Sequence, residues 1–105
     1  SPDGGGGRWL FSVDEIAEVL KKWKVHFSPD VARWLCALAN LSAAEERGGL
    51  RYAVHVYRMA VMLLKGEKKT IELRDIRRAN SLLRKSERAA IAADRVDAVL
   101  ERKTA

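Results

Sequence analysis

The residues of this chain whose types and spacing could do chemistry are mostly cations. The sharpest cluster is Gly48-Gly49-Leu50-Arg51-Tyr52. Two glycines opening a helix leave its first amide groups approachable, and an arginine in the first turn runs against the preference of the helix dipole for acids there. An uncompensated guanidinium at that position invites an anion. The plainer alternative is a surface arginine paired with Glu45 or Glu46. A second concentration runs from Lys65 to Arg88, where nine Lys and Arg stand against four acids and carry +5 of the net charge of +6. Lys65, Lys68, Lys69, Arg74, Arg77 and Arg78 are its candidate contacts to nucleic-acid phosphates. A solvated helix face gives the same composition. The segment has no element for reading base edges, so any binding there is expected to be sequence-independent and lost with salt.

Other chemistry is thinly represented. His26 and His55 are the only two histidines; neither joins a Ser and an Asp in a recognisable grouping, and with one cysteine they cannot assemble the common zinc patterns. There is no Gly-x-x-x-x-Gly-Lys-Ser/Thr loop, and the glycines at positions 4–7 lack that loop's lysine and following helix. The chain alone is therefore expected to have no catalysis of its own and to bind no metal. Cys36, between Leu35 and Ala37, reads as a small buried hydrophobe, and a lone thiol points to a reducing, cytoplasmic setting. Trp9, Trp23 and Trp34 could stack on bases, but Trp23 and Trp34 fall in helical apolar registers that favour the core.

The elements that must position these residues read as helices. Ser12, followed three residues later by Glu15, is a capping box opening a helix with Val13, Ile16, Val19, Leu20 and Trp23 at helical spacing. Ser28-Pro29-Asp30 opens a second, with Ser28 able to cap, Pro29 suited to the first position and Asp30 to the dipole; it fades near Ser42. Leu50 to Leu64 is the most apolar segment, expected to sit at the centre of a bundle. Gly66 with Lys65 reads as its stop. Ile71-Glu72-Leu73 suits a short extended stretch, Ile76 to Leu83 a fourth helix, and Ser86 to Arg102 a continuation or a fifth helix after a kink near Lys85. The expected fold is all-α, a bundle of four or five helices spanning residues 9–105, behind a flexible glycine-rich lead at residues 1–8.

Composition bounds the rest. With 105 residues, 48% of them apolar and 32% charged, the chain supports one core and no more. No run approaches the length of a membrane span, and the first residues have no signal-peptide pattern. A chain opening on Ser is expected to have been processed or cut from a longer one. The absence of Gln, with Lys, Arg and Glu abundant, is a bias of hyperthermophile proteins.

Over about residues 9 to 88 the sequence resembles the C-terminal helical lid of AAA+ ATPases, and looks most like the RuvB-like helicases of the pontin and reptin group. The resemblance is carried by Phe11-Ser12-Val13-Asp14-Glu15-Ile16, by Phe27-Ser28-Pro29-Asp30-Val31, by Leu50-Arg51-Tyr52-Ala53-Val54-His55-Val56, and by Thr70 to Ala79 followed by Ser81-Leu82-Leu83. It implies that Arg51 is the sensor-2 arginine, reaching the terminal phosphates of ATP held by a core domain outside this chain. The implied partners are that core domain and neighbouring subunits of a ring. A second pattern fits part of the same sequence: a short helix, a long apolar helix and a Lys-Lys-Thr-Ile-x-x-x-Asp-Ile step describe a dimeric, DNA-binding histone fold. A free-standing adaptor that docks through an apolar stripe is a third possibility. The separate capped helices Ser12 to Trp23 and Ser28 to Leu41 discriminate, because the lid uses both ahead of its central helix and the histone fold needs one.

Overall fold

The computed structural model describes residues 9–64, 69–86 and 90–104. The lead at residues 1–8, the Lys65-Gly66 stop and Lys68 lie outside the described residues. Five α-helices and one short strand pair make up the fold: α1 Val13–Leu20, β1 His26–Phe27, α2 Pro29–Ala44, α3 Leu50–Met62, β2 Thr70–Ile71, α4 Leu73–Leu83 and α5 Ala93–Thr104. The all-α expectation holds, with a two-residue parallel pair added to it, His26 opposite Thr70 and Phe27 opposite Ile71. Among the described residues no helix is long and apolar enough to cross a membrane.

Local signals account for most element ends. The Glu15 amide donates to Ser12 Oγ at 3.1 Å and the Ser12 amide to Glu15 Oε1 at 2.8 Å, the reciprocal capping read from the sequence. A 3-10 turn at Lys21–Trp23 prolongs α1 and ends at Lys24, whose left-handed backbone (φ 55°) turns the chain into β1. Ser28 departs from expectation. Its hydroxyl donates to Asp30 rather than capping α2, while its amide donates to Ile71 O at 3.0 Å and ties the start of α2 to β2. Pro29 at the first position carries the helix start instead. At α4 the Asp75 carboxylate accepts the Glu72 amide at 2.8 Å.

The centre of the bundle is α2 and not, as expected, the Leu50–Leu64 segment. Ten of the 16 residues of α2 are buried, and it packs on α1, α3, α4 and α5. Small side chains explain this, since Ala32, Cys36, Ala37 and Ala39 let neighbours approach all round it. Helix α3 buries only Tyr52, Ala53, Val56, Tyr57 and Ala60; Val54 and Val61 are half-buried, and Met62 is 74% exposed. The segment's apolar circumference exceeds its core face because Val54 lines a groove rather than entering the core.

Two buried amides hold the layers together. Asn40 accepts the Phe11 amide at 3.0 Å and donates to Phe11 O at 3.0 Å and to Cys36 O at 2.8 Å, fastening the approach to α1 onto α2. Asn80 accepts from Tyr52 Oη at 2.8 Å and donates to Ile91 O at 2.8 Å, joining α3, α4 and the lead into α5. These are the two asparagines of the chain, and each satisfies backbone groups that burial would otherwise leave unpaired.

Candidate functional site

The candidate site lies at the N-terminal end of α3, against the end of α1. Arg47-Gly48-Gly49 leads into it through backbone that only small residues adopt easily: φ is +108° at Gly48 and +57° at Gly49, and a Cβ on buried Gly49 would stand 3.3 Å from that of Ala43. The Gly49 amide donates to the buried Ser42 Oγ at 2.9 Å, and the Gly48 and Gly49 carbonyls accept from the Arg51 and Ala53 amides at 3.1 and 3.2 Å. The glycines therefore set the turn. They do not offer the Gly49 amide to a ligand, a correction to the sequence expectation.

Arg51, in the first turn of α3, is exposed and has no ion-pair partner among the described residues. The alternative that pairs it with Glu45 or Glu46 is not realised. Glu45 instead ion-pairs with Arg47, Nε to Oε1 at 3.3 Å, and accepts from Arg95 of α5, whose Nη1 lies 3.0 Å from Oε1. The Arg95 hydrogen bonds, opposed by slight burial and aided by both guanidinium charges, hold the Glu45 carboxyl below the ordinary carboxylate range.

Arg51 borders an open groove of about 710 Å³ between α1 with its 3-10 turn and α3. Val19, Trp23, Leu50 and Val54 give it apolar walls, Lys22, Arg47, Arg51 and Arg58 give it cations, and His55 also lines it. None of the residues lining it is acidic. Arg51, His55 and Arg58 follow at i, i+4 and i+7, which places them on one helical face. Lys22 comes from the 3-10 turn opposite and, like Arg58, is exposed without an ion-pair partner among the described residues. Sequence reasoning missed Lys22, Arg47 and Arg58. The α3 spacing carried a signal for Arg58, but the approach of Lys22 is tertiary.

Tyr57 fixes the wall that carries Trp23. Its ring meets Trp23 at 5.8 Å and Phe27 at 6.1 Å, both edge to face. Its hydroxyl is buried with no hydrogen-bond partner among the described residues, and burial pushes its pKa up to about 12.

The Lys65–Arg88 candidates fare differently from Arg51. Lys65 and Lys68 lie outside the described residues. Lys69 and Arg78 are exposed, and Arg74 pairs at 2.9 Å with Glu72 of its own turn. Arg77 is already engaged within the fold. Its Nη2 lies 2.6 Å from both Asp97 carboxylate oxygens, and its guanidinium covers the Trp34 ring at 5.9 Å. Trp34 Nε1 donates to the same carboxylate at 2.9 Å. Burial alone would raise the Asp97 pKa, but the Arg77 and Trp34 hydrogen bonds and the Arg77 charge outweigh it and hold the carboxyl low.

Trp34 is thus core, as its register implied, while Trp9 and Trp23 are half-buried. Cys36 is fully buried, its thiol pushed up to about 11 chiefly by desolvation, so it stays a protonated hydrophobe at neutral pH. His26 on β1 and His55 on α3 are in separate elements, and among the described residues no group of His, Cys, Asp and Glu is placed to hold a metal ion. Set against protein-family models, curated proteins and solved structures, the chain matches none.

Proposed function

We propose that the chain is a nucleotide-responsive lid, of the kind borne by RuvB-like AAA+ ATPases, which presents Arg51 to the terminal phosphates of ATP bound by a core domain outside this sequence. The observation that carries the reading is the groove: Arg51 stands at its mouth without a carboxylate partner, in a lining with Lys22 and Arg58 and no acid. A planar guanidinium at that place would stabilise charge developing on transferring phosphoryl oxygens, and its engagement would couple lid position to nucleotide state. The lid has no phosphate loop of its own, so catalysis would belong to the core and to its ring of subunits. The arrangement of α1 and α2 as two separately started helices ahead of α3 supports this reading over a DNA-binding histone-fold dimer, which needs one.

The test is hydrolysis and binding together. The isolated chain should turn over no ATP and bind tripolyphosphate weakly, with amide shifts around Leu50 to Arg58 that vanish in Arg51→Ala. In the polypeptide that joins this domain to its core, Arg51→Ala should lower hydrolysis about 100-fold, the scale of losing one preorganised charge donor. Turnover by the purified isolated chain would overturn the reading. A tight dimer that holds duplex DNA in ~0.2 M salt, where a few phosphate contacts are largely screened, would replace it with the histone fold.

A further inference from the structure

Two residues in the lining of the Arg51 groove, Arg47 and Tyr52, also reach the approach to α5. Arg47 Nη1 donates to Ala90 O at 3.0 Å, while its Nε lies 3.3 Å from Glu45 Oε1. Tyr52 Oη donates to Asn80, whose side-chain amide donates in turn to Ile91 O at 2.8 Å. Two consecutive carbonyls just ahead of α5 are thus tied to one groove, and the two ties differ in kind. Tyr52 and Asn80 are buried and satisfy each other and Ile91 O, so that tie is fixed. The Arg47 and Glu45 side chains are 38% and 27% exposed, and an ion pair so open to water is easily exchanged. Among the described residues Arg47 Nη2 has no partner, and Glu45 already shares its carboxylate with Arg95. The Arg47 amide donates to Ser42 O at 2.8 Å, so an exchange needs movement of the side chain alone.

We infer that Arg47 is a two-position latch that reports anion binding in the Arg51 groove at the approach to α5. In the first position, seen here, its guanidinium holds Ala90 O and Glu45. In the second it turns to a polyphosphate anion bound at Arg51 and lets go of Ala90. The latch rests on the reading of Arg51 as an anion site. A phosphate chain carries several charges in a geometry that suits the guanidinium fork, whereas Glu45 offers Arg47 one charge already drawn to Arg95. The anion therefore wins the competition for Arg47. The Asn80 bond stays, which makes Ile91 the pivot and Ala90 the released end. Linkage makes the coupling reciprocal: weakening the hold of Glu45 on Arg47 favours the second position and tightens anion binding.

The experiment is a titration of the full chain with tripolyphosphate at low salt, followed by amide NMR shifts. The Arg51 to Arg58 amides report the groove, the Ile91 amide reports the Ala90 carbonyl of its own peptide group, and the Ala92 amide reports the Ile91 carbonyl. The Ile91 amide should shift with the same midpoint as the groove amides, and the Ala92 amide much less. In Arg47→Ala the groove amides should still saturate, about fivefold more weakly for one lost cation, and Ile91, displaced already without the anion, should not respond. Glu45→Gln should tighten binding about threefold. Glu46→Gln removes an equal charge from an exposed neighbour that has no ion-pair partner among the described residues, and should give a smaller gain. Groove amides that saturate while Ile91 stays still, an Ile91 response that survives Arg47→Ala, or equal gains from the two glutamate variants would each overturn the latch and leave the Arg51 site standing. An absence of saturable binding would overturn both.

Discussion

Two basic regions of this molecule look alike in the sequence and differ in the fold. On the α4 and α5 side, Arg77 is closed onto Asp97 and Trp34, Arg95 onto Glu45, and Arg74 onto Glu72. In the groove between α1 and α3, Lys22, Arg51 and Arg58 face open space with no acid in the lining. The Lys65–Arg88 segment, to which Arg74 and Arg77 belong, carries +5 of the net charge of +6, yet its central arginine serves to dock a helix. The second has fewer cations and the stronger claim to a ligand, because an anion there meets charges that no carboxylate has already neutralised. Segment charge is therefore a poor guide to function until cross-chain pairing is known.

The largest effect should come from the helix that both regions share. Val56 is fully buried, so Val56→Asp should abolish the cooperative melt, at a cost of about 4 kcal/mol or more for an unpartnered buried charge. Val61 is half-buried beside solvent, and Val61→Asp should leave a folded protein with a lowered midpoint. If both variants melt alike, the difference in burial between Val56 and Val61 does not set the cost as described.

Next should come the polar anchor of the paired region. Asn80→Ala strips a partner from Tyr52 Oη and from the Ile91 carbonyl, and should cost about 2–3 kcal/mol in denaturant unfolding. Arg77→Ala should cost less, about 1–2 kcal/mol, because the Arg77 and Asp97 side chains are 40% and 33% exposed and solvent screens the pair. A double-mutant cycle with Asp97→Ala isolates their coupling. A coupling near zero would make the pair ornamental and erase the contrast with the groove.

The same pair sets a pH dependence. The Asp97 pKa is depressed in the folded state, so its contribution is fully present above the unfolded carboxylate value of ~3.9 and is lost as pH falls through the lower folded value. The stability gap between the protein and Asp97→Asn should be constant near neutrality and close as the solution becomes strongly acidic. A gap that widens on acidification would contradict the Arg77 and Trp34 assignment.

The smallest effect on stability should belong to the residue with the greatest functional claim. Arg51→Ala should change the unfolding free energy by no more than about 0.5 kcal/mol, since an exposed arginine without a partner holds nothing in place. A large loss of stability would assign Arg51 to the scaffold and withdraw it from the groove's chemistry.

Local physics was legible in the residues themselves. Ser12 with Glu15 marked the start of α1, Pro29 the start of α2, and the 3.6-residue apolar spacing the helical class, because capping and amphipathicity are settled within a few residues. The burial of Cys36 and Trp34 followed from their registers. What only the tertiary structure decided was which charges remain free and which helix is central. Asp97 lies 20 positions from Arg77 and 63 from Trp34, and Lys22 reaches the Arg51 groove from another element, separations over which periodicity carries no information. The same holds for α2: its alanines look unremarkable in the sequence, and they make it the core only because four other helices can approach it closely.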